Sequence, residues 1–213
     1  ASGFACRSLN YHTFSRRLDD CGDIVAARIA EVAEESRAPA VHVIAHSIGG
    51  LVLRSAINRH REIADVVATG VTIGTPHNGT PWAITGSRLI PKVGHLVEEL
   101  RPGSETLANM DEMTLPGNTK WYAIWSNADQ IVPGDYGRLE NPALDAVQIE
   151  LRGLGHYGLT FNERAIDTVV DCAIESDSSA LTAGLDFPPA PTTHRPARVM
   201  RATTKNSSGI SVA

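Results

Sequence analysis

The sequence predicts an α/β fold, a mostly parallel sheet flanked by helices, and three observations carry that prediction. Short β-branched runs alternate along the chain with segments of helical period. The stretch Val41–Arg54, VHVIAHSIGGLVLR, reads as strand, tight turn and helix in direct succession. Polar or glycine-containing loops follow the apolar runs that end near Ile73, Ser126 and Leu151, where open α/β sheets put their binding sites.

Taken in order, the chain opens at Ala1 on a strand-like run, FACRSLNY, with no initiator Met and no basic and apolar leader. Ser15 to Ser36 carries Leu18, Cys21, Val25, Ile29 and Val32 at the three-to-four spacing of an amphipathic helix. Arg37 to Ala40, with Pro39, ends it. Val41 to Ile44 is the next strand, so strand, helix and strand make a parallel unit with a right-handed crossover. The following helix runs from Ile48 to near His60.

Ser47 lies between that strand and helix, in A-H-S-I-G. A serine on such a corner has a strained backbone and needs small neighbours, here Ala45 and Gly49. A plain helix-capping serine is the competing account. Val66 to Ile73 forms another strand and ends in GTPHNGTPWA, a loop broken by Gly74, Pro76, Gly79 and Pro81. His77 and Trp82 are its candidate pocket-lining residues; His77 could also act as a base, with a turn histidine, exposed or satisfied by backbone, as the favoured alternative.

From Ile84 to Met113 the pattern is interrupted: Leu89, Ile90, Val93, Leu96, Val97 and Leu100 suit a short helix, and Pro102 and Gly103 precede another at Glu105 to Met110. The insertion 84–113 either covers a cleft as a lid or packs on the sheet edge. Lys120 to Ser126 and Val147 to Leu151 are further strands, followed by NADQIVP and RGLGHYGL. Asn162 to Glu175 closes the domain as a helix with Ala165, Ile166, Val169, Val170, Ala173 and Ile174 on its buried face. The expected catalytic domain is thus 1–175. The remainder, 176–213, is rich in Pro, Thr, Ser and Ala with little to bury, and is expected to be a disordered tail.

Composition bounds the function. The 213 residues are 42% hydrophobic and 20% charged, enough for one sizeable core. A net charge of −5 and no clustered Lys/Arg stripe argue against nucleic acid. No apolar run approaches the roughly 20 residues of a membrane span. Cys6, Cys21 and Cys172 show no metal-ligand spacing, and either three free thiols or a Cys6–Cys21 disulfide is consistent with them.

Chemistry singles out three residues. Asp129 in the loop after one strand and His156 between glycines after the next complete a Ser47, Asp129, His156 order. That order is the one the α/β-hydrolase fold uses for its triad. A serine hydroxyl needs a base to attack a carbonyl, imidazole suits that role, and a carboxylate can fix the imidazole's tautomer. The backbone N–H of Ile48, directly after Ser47, is the candidate oxyanion donor. His46 is expected to pack or hydrogen-bond locally.

At these positions the sequence resembles bacterial lipases and esterases of the α/β-hydrolase superfamily, particularly small ones with an A-H-S-x-G-G elbow. The resembling residues are AHSIGGLV, GTPHNGTPWA, SNADQIVP and GLGHYGL, spread from about Val41 to Leu159. The resemblance implies an α/β-hydrolase fold and cleavage of a carboxylic ester, of acylglycerol type, through an acyl-enzyme. It makes Ser47 the nucleophile, His156 the base and then acid, and Asp129 its orienting partner. It implies an ester or lipid substrate with contact at lipid interfaces, no metal, no organic cofactor, and export from the cell. One departure stands out: the family's second oxyanion donor follows a His-Gly pair on an earlier strand, and no such pair precedes Ser47. The expectation is therefore a chain lacking its first strands and that loop. Two further readings follow, another acyl hydrolase or acyltransferase on the same scaffold, and an inactive truncated pseudo-enzyme.

Overall fold

The computed structural model describes residues 4–11, 16–86, 94–115, 117–182 and 210–212. Its sheet has six strands: β1 (Arg7–Leu9), β2 (Val41–His46), β3 (Val67–Ile73), β4 (Lys120–Trp125), β5 (Val147–Glu150) and β6 (Ile210–Val212). Their spatial order is β1-β6-β2-β3-β4-β5. The four strands β2 to β5 are mutually parallel, while β6 runs antiparallel to both its neighbours.

Eight helices accompany the strands among the described residues: α1 (Leu18–Ser36), α2 (Ile48–Arg59), α3 (Arg61–Ala64), α4 (Trp82–Gly86), α5 (Gly94–Glu99), α6 (Glu105–Met113), α7 (Gly158–Phe161) and α8 (Glu163–Thr182). The expected parallel sheet with flanking helices is what forms. Expected strand and helix limits hold to within about three residues from Ser15 to Leu151, while FACRSLNY contributes only Arg7–Leu9 to the sheet. The pattern at Leu89, Ile90 and Val93 lies outside the described residues.

The two faces of the sheet bury separate clusters. Leu18, Val25 and Ile29 of α1 join Leu51 and Ala56 of α2 on one face, and Tyr122 and Ile124 meet Leu159, Ala165 and Cys172 on the other. Strand β4 shows why: Trp121 and Ala123 face the first cluster and Tyr122 and Ile124 the second, as the two-residue period of a strand dictates. Helix α1 crosses α2 closely at Gly22, where a Cβ would stand 2.7 Å from Ser55 Oγ.

The insertion packs where its described helices have something to bond. Leu96, Leu107 and Met110 enter the α1/α2 cluster. Glu99 of α5 is buried and accepts the Leu18 N–H at 3.2 Å, capping α1 from across the chain. Burial raises its carboxyl pKa despite that bond and the nearby Arg17. Ser104 caps α6 by accepting from Leu107 N. Arg54 of α2, 2% exposed, pairs with Asp111 of α6.

Two findings correct the expected limit of the tail. Helix α8 continues to Thr182, beyond the Glu175 at which the sequence pattern ends it, and Ile210–Val212 enters the sheet as β6. Backbone pairing needs no buried side chain, so composition gave no sign of that strand. The three cysteines are free thiols, Cys21 and Cys172 buried and Cys6 exposed. Among the described residues, no helix is long and apolar enough to cross a membrane.

Candidate active site

Ser47 stands at the corner between β2 and α2 with φ 56° and ψ −132°, a left-handed backbone that costs on the order of 1–3 kcal/mol for a residue with a Cβ. Bonds on both sides hold it there. Its N–H continues the parallel ladder to Ile73 O at 2.8 Å, and its carbonyl accepts from Gly50 N at 3.1 Å as α2 begins. Gly50, next to the Gly49 singled out from sequence, is a close approach: a Cβ there would stand 2.2 Å from Thr75 Oγ1. The Ile48 N–H is the first backbone donor of α2, one of four at a helix start with no partner within the helix.

Asp129 follows β4 and is buried at 3% exposure. Its Oδ1 accepts from the backbone N–H groups of Ile131 and Val132, both at 2.8 Å, which fixes the carboxylate plane. Its Oδ2 stands 2.7 Å from His156 Nδ1. His156 Nε2 in turn stands 3.0 Å from Ser47 Oγ. A carboxylate oxygen accepts, so the proton belongs on Nδ1 and the Nε2 lone pair faces the Ser47 hydroxyl. The structure thus brings Ser47, Asp129 and His156 into one unbroken chain of hydrogen bonds.

The loops carrying the pair are tied to each other. Leu154 N donates to Ser126 Oγ at 3.2 Å and Gly153 N to Asn127 Oδ1 at 3.0 Å, so the turn after β4 organises the loop after β5. Gly74, at the end of β3, closes over both. Its φ is +54°, and a Cβ there would lie 3.2 Å from Asp129 Oδ2 and 3.3 Å from His156 Nδ1. Ser126, Asn127, Gly50 and Gly74 lie within the stretches singled out from sequence, but without a role assigned there. Their contacts come from other loops and strands, which the stretches themselves do not show.

The remaining expected residues divide. His77 is buried, with Nε2 3.0 Å from Thr72 Oγ1. The Thr72 hydroxyl donates to Tyr122 O, so it accepts from His77 Nε2–H. Burial and the neighbouring Arg54 charge push the His77 pKa well down. His77 lines a cavity of about 230 Å³ with Arg54, Asp111 and Leu139, apart from the Ser47 site. It is thus held against β3, facing residues of α2, α6 and the 138–142 loop. Trp82 begins α4 and is 55% exposed, beside the equally exposed Ile84. His46, one residue before Ser47, lies against His156 with ring centroids 4.7 Å apart and the rings tilted at 45°.

With this geometry in view, comparison with known proteins gives the family. No curated protein sequence matches the chain. Among solved structures, the mature lipase BlEst2 of Bacillus licheniformis aligns with a TM-score of 0.63 at 18% identity, covering 76% of this chain and 77% of that one. Lipase B of Aspergillus fumigatus aligns with a TM-score of 0.60 at 17% identity, covering 75% of this chain but 42% of its own. A gene product of Listeria innocua aligns at 0.53 and 19% identity, over 74% and 67%. These likenesses establish the fold, that of the α/β-hydrolases. Residues 9–141, more than half of the chain, match the family described as PGAP1-like alpha/beta domain, and the chain belongs to that family.

Proposed function

We propose that this protein is a serine hydrolase cleaving carboxylic esters, a lipase or esterase of acylglycerol type. One observation carries the reading: Ser47 Oγ, His156 Nε2, His156 Nδ1 and Asp129 Oδ2 lie in hydrogen-bonding series at 3.0 and 2.7 Å. In this reading His156 Nε2 takes the Ser47 proton as the oxygen attacks the ester carbonyl, and Asp129 stabilises the imidazolium so formed. The Ile48 N–H receives developing charge on the carbonyl oxygen. His156 then returns the proton to the leaving alcohol, and water repeats the sequence on the acyl-enzyme.

Trp82 and Ile84 present apolar surface suited to a lipid or acyl chain, while the described helices of 84–113 pack on α1 and α2. The likenesses to lipases support ester chemistry in general without choosing an acyl group. A thioesterase, amidase or acyltransferase would use the same triad.

A non-catalytic reading has one observation in its favour. The neighbour of β2 on the side away from β3 is the antiparallel β6, with Ile210 opposite Ala45. It brings the start of a strand, rather than a loop that ends one, to the edge where a second oxyanion donor would sit. Losing one such donor costs about 100- to 1,000-fold in rate.

Fluorophosphonate labelling with peptide mapping tests the proposal, because it reports activated serines whatever the substrate. The expected result is a single adduct on Ser47, abolished by Ser47→Ala and by His156→Ala, with ester hydrolysis following the same pattern. A folded chain that takes no label supports the non-catalytic reading. Profiling thioesters, amides and esters of varied chain length then separates the acyl-transfer chemistries.

A further inference from the structure

His46 has no part in the chemistry above, yet it makes three contacts to the loop that carries the base. Its Nε2 stands 3.3 Å from the main-chain oxygen of His156. Its ring lies 4.7 Å from the His156 ring at 45°, and 6.5 Å from Tyr157. Tyr157 in turn meets His156 edge-on at 5.7 Å and 80°, so the imidazole has an aromatic neighbour on two sides.

We propose that His46 is a positioning residue: its Nε2–H holds the His156 carbonyl while its ring backs the His156 imidazole, fixing the base against Ser47. The proposal rests on the triad reading and adds to it the residue that sets the base's main chain. A carbonyl oxygen only accepts, so the contact requires a proton on His46 Nε2. Burial and the adjacent His156 hold the His46 pKa down to about 4, leaving a neutral ring with a single N–H. That N–H belongs on Nε2, and Nδ1 is left bare.

The loop needs such an anchor. It contains Gly153, at φ +80°, and Gly155, and its bonds to Ser126 and Asn127 stop at Leu154. Asp129 fixes the His156 ring, but only the main chain sets where that ring is delivered. His46 meets the main chain from the residue next to Ser47, so one strand end registers nucleophile and base against each other.

Packing alone would need the ring and not the proton, and two substitutions separate these demands. His46→Phe keeps an aromatic ring without a donor. His46→Gln keeps an amide N–H at similar reach without the ring. We expect His46→Phe to lower kcat on a short-chain nitrophenyl ester, and the rate of Ser47 phosphonylation, by about 10- to 100-fold with KM nearly unchanged. His46→Gln should recover most of that loss. In a long-range 1H–15N correlation spectrum of histidine-labelled wild type, the His46 ring should carry its proton on Nε2. A His46→Phe protein as fast as wild type, a Gln variant as slow as Phe, or a His46 protonated on Nδ1 overturns the proposal. If Ser47 of the wild type takes no label, the triad reading fails instead, and the tautomer decides whether the clamp exists.

Discussion

Gly74 shows how a residue with no functional group can govern the site. It combines a positive φ with contacts of 3.2 and 3.3 Å awaiting any Cβ, against Asp129 and His156. An L-residue in that conformation costs about 1–2 kcal/mol. The displaced carboxylate and imidazole should cost more in rate than in stability. Gly74→Ala is expected to slow Ser47 phosphonylation by about 10- to 100-fold, since shifts of an ångström at reacting groups have effects of that size. Labelling rates beside the melting temperature check it, and a normal rate at lowered stability would show that the pair is not displaced. Ser47, Asp129 and His156 were legible from sequence because each follows a recognisable strand in a distinctive chain order. Gly74 was legible only as a loop glycine, because the demand on it comes from two side chains more than 50 positions away in sequence. His77 turns inward because it bonds Thr72, five positions earlier on β3, and lies near Arg54 of α2, which the loop composition does not announce.

At the scale of elements, α2 carries Ser47 at one end and depends on its neighbours along the rest. The Arg54 guanidinium is buried, and Asp111 of α6 is its ion-pair partner. Asp111→Ala leaves that charge poorly compensated. Losing one partner of a fully buried pair costs about 3–5 kcal/mol. Asp111 itself is half exposed, so water replaces part of what it supplies, and a loss of about 1–3 kcal/mol in denaturant titration is expected. An unchanged midpoint would mean that α6 is not held through this pair. Helical periodicity revealed α1 and α2 because each presents a full apolar face. It could not reveal that Glu99 caps α1, since that bond joins residues 81 positions apart. Strand β6 lies beyond such reasoning too, and its consequence is measurable. Deleting 206–213 removes the pairing of β6 with Val43, Ile44 and Ala45. Faster amide hydrogen exchange is expected at the β2 residues that bonded β6, while the β3–β4 ladder stays protected. Uniform exchange across the sheet would count against a discrete role for β6.

For the whole molecule, the buried His77 and the half-buried His46 make stability a function of pH. His77 lies in the interior near Arg54 and His46 lies beside His156, and in each case burial is the larger reason that the charged form is disfavoured. An unfolded histidine titrates near pH 6.5. Below that value the unfolded chain takes up protons that folded His46 refuses until about pH 4, and that His77 refuses well below its ordinary range. The unfolded state then binds more protons than the folded one, so stability falls as pH falls. Each group adds at most about 1.4 kcal/mol per pH unit in that window, and nothing above it. His60 acts in the opposite sense, because Asp23 raises its pKa, but that pair is solvent-exposed and its effect is correspondingly small. The melting temperature should therefore be level from pH 8 to about 7 and decline from about 6.5 towards 4. His77→Gln, whose amide can still donate to Thr72, should flatten the decline by one histidine's share. Equal slopes in wild type and His77→Gln would place the acid sensitivity in carboxylates instead.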